Sequence, residues 1–121
     1  MPERRPLVNS YSRGVLDTTP LTSAVDQFAD RLRAAPQSRL QRGAAAEALG
    51  LARELSGWAQ RLEGAGADGG SAVREMPDAG MFAAADQVTV AGRDLAVVLR
   101  TEREVAEAVD LVGAAMKRAG V

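Results

Sequence analysis

The chain contains no cysteine and no histidine among its 121 residues. Without thiols there is no disulfide, no thiolate nucleophile and no zinc site of the cysteine type. Without imidazole, the commonest general base and the commonest metal ligand are missing together. Aromatic residues make up only 3 % of the chain: Tyr11, Phe28, Trp58 and Phe82. Lysine occurs once, as Lys117. No apolar run approaches the roughly 18 residues needed to span a bilayer. The opening Met1-Pro2-Glu3-Arg4-Arg5-Pro6 has arginine but no apolar stretch behind it, so a secretory signal is not indicated. A cytoplasmic protein that avoids membranes is the expectation.

What fills the chain instead is alanine, with 24 copies, in a hydrophobic content of 46 %. That content fits a folded protein, and the length fits one domain with a real core. Alanine favours helix, whereas strands draw on the aromatic and β-branched residues that are scarce here. The fold class is therefore all-α, with a core built from closely approaching helices. The net charge of −1 argues against a generic polyanion binder. Residues 1–62 carry nine basic and six acidic side chains, and residues 63–121 carry six and ten. The two halves thus attract weakly. Fourteen arginines against one lysine suggest a GC-rich bacterial genome.

Residues 1–19 lack sustained periodicity and read as an extended or disordered arm, in which Leu7, Val8, Val15 and Leu16 could dock on the body. From there 20–121 reads as one helical domain. Thr19 can cap a helix with Pro20 in its first turn, Leu21, Val25, Phe28, Leu32 and Ala35 form its apolar face, and Pro36 ends it. A second helix is predicted over about 38–63, opened by Ser38, with a seam of Ala44, Ala48, Leu51, Leu55, Trp58 and Leu62. Gly43, Gly50 and Gly57 recur one heptad apart beside that seam. They mark either a groove where another backbone approaches or tolerated surface glycines. A Gly-rich linker covers 64–77.

The dominant pattern follows. Met81, Ala84, Val88, Ala91, Leu95, Val98, Glu102, Val105, Val109, Val112, Met116 and Ala119 alternate in steps of three and four, and eleven of these twelve are apolar. That spacing predicts one helix face over about 79–119, with Asp78 as its cap. Two alternatives attach to it. Val88–Leu99 also fits a β-hairpin around Ala91-Gly92-Arg93-Asp94, though an isolated hairpin is marginal in water. Thr101-Glu102-Arg103-Glu104 has the form of a capping box that would begin a separate helix. The absence of Gly or Pro before it favours a continuous or kinked helix.

The fold expected is an antiparallel bundle of three helices with a long C-terminal helix, or of four if that helix breaks near Thr101. An unbroken helix over 79–119 would be about 60 Å long, longer than a compact domain of this size at roughly 35 Å. Its end would then need cover, most simply from a second copy. A homodimer through Glu102, Val105, Val109, Val112 and Met116 is the consequent expectation. Glu102, alone in the stripe, either sets register at that seam or turns outward at a helix break.

The catalytic patterns are thin. Gly64-x-Gly66-x-x-Gly69 spells a dinucleotide fingerprint but follows a helix and lies in a linker, where the phosphate-binding turn cannot form. Glu102, Glu104, Glu107 and Asp110 cluster on a helix, yet di-iron bundles pair such residues with histidine. A solvated face with Arg100 and Arg103 as partners accounts for them. No cofactor, no metal and no enzymatic activity are expected. Trp58 is a core residue or an interface anchor.

The leading reading is a non-enzymatic module that self-associates and engages a protein partner. An effector-binding bundle with an apolar pocket lined by Phe28, Trp58, Met81 and Phe82 is the alternative. A nucleic-acid accessory protein using Arg4, Arg5 and Arg13 comes after it, with weak support. In outline the chain is similar to the secreted WXG-type helical hairpins. Their Trp-x-Gly turn is absent, because Trp58 is followed by Ala59-Gln60, so nothing of that family is carried over.

Overall fold

In the computed structural model, which describes residues 16–65 and 74–121, every regular element is helical. The long elements are α1 (Thr19–Ala34), α2 (Ala45–Ala65), α3 (Ala84–Val98) and α4 (Glu102–Ala119). The all-α expectation is met, and 88–98 is helix, not hairpin. The arm over 1–15 and the glycine-rich stretch 66–73 lie outside the described residues.

Helix ends explain where expectation and structure part. The α1 start shifts by one residue: Thr18 occupies the cap position, and the Asp17 carboxylate accepts the Thr19 amide at 3.0 Å. The second helix is not straight from Ser38. A short turn at Gln37–Arg39 and a widened turn at Leu40–Ala44 precede it, kinked at Gly43, and the regular helix begins at Ala45. Asp78 does not cap the next helix. Its carboxylate accepts the Gly80 amide at 2.9 Å, and a tight turn at Met81–Ala83 leads into α3.

The continuous helix over 79–119 is corrected outright. The chain breaks at Leu99–Thr101, where a complete capping box opens the next helix. Thr101 Oγ1 accepts the Glu104 amide at 3.0 Å, and Glu104 Oε1 accepts the amides of Thr101 at 3.1 Å and Arg100 at 2.8 Å. Four backbone donors lack partners at any helix start. Here one threonine and one glutamate satisfy three amides, so a restart costs little. Leu99 stays buried and pins the break to the core.

Long-range contacts fix the helix directions. Arg33 meets Asp86 at 2.9 Å and Arg93 meets Asp26 at 3.2 Å, so α1 and α3 are antiparallel. Pro20 lies near Val105 and Val109, while Arg31 reaches the Val121 oxygen, so α1 and α4 run parallel. Glu47 pairs with Arg118, and Trp58 lies near Glu107 and Leu111, so α2 and α4 are antiparallel. It follows that α2 and α3 run parallel. The extensive contacts are α1 with α3, α3 with α2, α2 with α4 and α4 with α1. The consecutive pairs α1–α2 and α3–α4 therefore sit across the bundle from each other, whereas α2 and α3 are neighbours.

Parallel α2 and α3 require the connection to return along the bundle, and side chains hold its last part in place. Gln60 exchanges two hydrogen bonds of 2.8 Å with the Arg74 backbone, as a neighbouring strand would. Arg53 donates to the Met76 carbonyl at 2.8 Å and pairs with Glu75, and Gln87 donates to the Pro77 carbonyl at 2.8 Å.

Phe28, Leu21, Leu51, Leu55, Leu95, Val25, Val88 and Val112 are fully buried at the centre. Among the described residues, eleven of the 23 buried apolar side chains are alanine, which lets the helices approach closely. At Gly92 of α3 there is no room for a side chain, since a Cβ would stand 2.5 Å from Val25 Cγ2. Among the described residues no polar or charged side chain is buried.

Candidate functional site

The exposed surface concentrates its large apolar side chains in one place. Among the described residues only Phe82, Val90 and Val97 are large, apolar and exposed, at 74 %, 52 % and 83 %. All three belong to α3 or the turn leading into it. At about 100° per residue Val90 and Val97 fall, with Asp86 and Arg93, in a stripe opposite the buried face of Ala84, Val88, Ala91 and Leu95, and Phe82 stands exposed in the tight turn that opens the helix. The helix is thus apolar along two opposite faces. One is covered by α1 and α2, and the other meets solvent. Asp86 and Arg93 stay largely exposed while bound to Arg33 and Asp26 of α1, so both retain free hydrogen-bonding capacity.

A second surface lies where α1 and α4 begin. Pro20, Val105, Ala106 and Val109 form the floor of a shallow groove of about 410 Å³, with Asp17, Glu102 and Asp110 around it. Hydrogen bonds from the Thr19 hydroxyl, and then from its amide, hold the Asp17 carboxyl below its ordinary value. Backbone donation from Arg100, with lesser help from Thr101, does the same for Glu104. A cleft of about 470 Å³ lies between the starts of α2 and α3, lined by Leu40, Leu49, Gly50, Met81 and Gln87 among others.

The residues singled out in the sequence scatter over these surfaces. Of the C-terminal stripe, Val105 and Val112 are buried within this chain, Val109 and Met116 are half-buried against the same core, and Glu102 is exposed. The stripe is covered by α1 and α2 because the break at Thr101 folds α4 back onto them. Glu102, as the first residue of α4, faces solvent at a helix N-terminus, where a negative charge is favourable. Phe28, Trp58, Met81 and Phe82 are not brought together. Phe28 is sealed in the core, and Phe82 points outward. Met81 lines the cleft, and Trp58 lies half-buried in a separate groove beside Glu107 and Leu111.

The outer face of α3 also leaves a signal in the sequence. Phe82, Asp86, Val90, Arg93 and Val97 step by four, four, three and four, a second helical spacing beside the main stripe. A helix with two such seams has two surfaces to cover. Among the described residues no cluster of acidic side chains is arranged to hold a metal ion, and no helix is long and apolar enough to cross a membrane. Comparison with protein-family models, curated proteins and solved structures finds no match to this chain.

Proposed function

We propose that the chain is a non-enzymatic helical interaction module that offers the outer face of α3 to a protein partner. One observation carries this reading: among the described residues, the three large apolar side chains left exposed all lie on α3 or in the turn that opens it. Scattered exposed apolar residues are ordinary on a protein surface, whereas an aligned set on a rigid helix is a docking surface. Interfaces of this kind seat a few anchors from one helix against a partner, read as positions spaced by three, four and seven. Phe82 is the largest such anchor. Asp86 and Arg93, between the apolar positions, give the face both polarity and direction.

Photo-crosslinking in the host cell tests it. A photoreactive amino acid at position 97 or 90 gives a discrete protein adduct, and one at the exposed Ala114 of α4 gives none. Equal labelling from all three positions, or no adduct from any, overturns the assignment.

A further inference from the structure

We infer that the partner of this face is a second copy of the same chain, the two α3 helices crossing antiparallel about a two-fold axis. The inference rests on the interaction reading above and names its partner. The stripe runs apolar, acidic, apolar, basic, apolar: Phe82, Asp86, Val90, Arg93, Val97. Reversed end for end, it meets itself in complement. Phe82 lies over the partner's Val97, Asp86 over the partner's Arg93, and Val90 near the partner's Val90 at the axis. A two-fold contact requires this kind of self-complementary patch, and it closes at two copies. A parallel pairing would set Asp86 against Asp86 and Arg93 against Arg93, so charge selects the antiparallel one.

The in-chain ion pairs extend the pattern and do not compete with it. Arg33 holds Asp86 at 2.9 Å and Asp26 holds Arg93 at 3.2 Å, each leaving the inner side chain more than half exposed. In the pair of chains these become two rows of alternating sign: Arg33, Asp86, the partner's Arg93, the partner's Asp26. The contact is one helix face about 22 Å long. It is a small interface, which places the dimer at the weak, concentration-dependent end of the range.

Mixing two charge variants of the full chain tests this by sedimentation velocity. Asp86→Arg alone sets cations over cations, and Arg93→Asp alone sets anions over anions, so each is monomeric where the unaltered chain is dimeric. Mixed in equal amounts they pair with each other, because every crossing contact is again of opposite sign. Mixing does not restore the in-chain pair each variant lacks, Arg33–Asp86 in Asp86→Arg and Arg93–Asp26 in Arg93→Asp, so recovery comes only from contact between chains. Circular dichroism checks that both variants are folded. A monomeric unaltered chain at millimolar concentration, or a mixture as monomeric as its components, overturns the inference. The crosslink from position 97 separates the two readings. An adduct of twice the chain mass supports both, and one of another mass leaves an interaction module with a different partner. The absence of an adduct removes both.

Discussion

Two glycines in neighbouring helices carry opposite consequences. Gly50 lies exposed inside α2 with nothing near the position of a Cβ, whereas Gly92 inside α3 faces Val25 at 2.5 Å. Gly50→Ala restricts the unfolded chain and is expected to raise stability by about 0.5–1 kcal/mol. Gly92→Ala gains the same propensity but drives a methyl into a buried, β-branched neighbour, and overpacking of that kind costs about 1–3 kcal/mol. Urea denaturation of the two variants should shift the midpoint in opposite directions. The sequence pointed elsewhere, to the heptad of Gly43, Gly50 and Gly57. Gly57 is buried, but nothing approaches the other two. Spacing tells which residues share a side of a helix, and not which side a neighbour will approach.

At the level of elements, the break at 99–101 decides the fold. It depends on Thr101 and Glu104, whose side chains accept the amides of Arg100, Thr101 and Glu104 around the start of α4. Thr101→Ala is expected to cost about 1 kcal/mol, the usual penalty for losing an N-cap, and to fray the start of α4 in hydrogen exchange. The Glu104 carboxyl lies below its ordinary value because the Arg100 and Thr101 amides favour the charged form. A group depressed on folding stabilises the fold above its unfolded value, about 4.3 for glutamate. That contribution disappears as pH falls through the lower folded value. Melting temperature should therefore be level above pH 5 and decline in acid, with a smaller decline in Glu104→Gln. An acid profile unchanged in that variant would exclude the capping carboxylate as its source.

For the whole molecule, two residues two positions apart measure the division between core and surface. Leu95 is fully buried where α3 meets α1 and α2, and Val97 is 83 % exposed on the other side. Leu95→Ala is expected to cost about 2–5 kcal/mol through the cavity it leaves. Val97→Ala should lie within about 0.5 kcal/mol of the unaltered chain in the monomer, while weakening its self-association. Denaturation at low concentration reads the first quantity, and sedimentation reads the second. If Val97→Ala destabilised the monomer as much as Leu95→Ala, the outer face would be part of the core. The ion pairs joining α1 and α2 to the second half of the chain are all largely exposed, and surface pairs of this type contribute little to stability. Apolar burial holds the bundle closed.

Alanine content, helical rhythm and the want of strand-forming residues determined an all-helical chain by themselves, because those preferences act within a few residues. Pro36 and the Thr101–Glu104 box also carried their own stop and start signals. Whether the second signal would be used was not a local matter. An unbroken helix from 79 to 119 satisfies its own backbone equally well, but leaves Val105 and Val112 in water. Folding back at Thr101 buries both against α1 and α2. Among the described residues the same tertiary choice left Phe82, Val90 and Val97 as the large apolar side chains in water, since α1 and α2 cover only the inner face of α3.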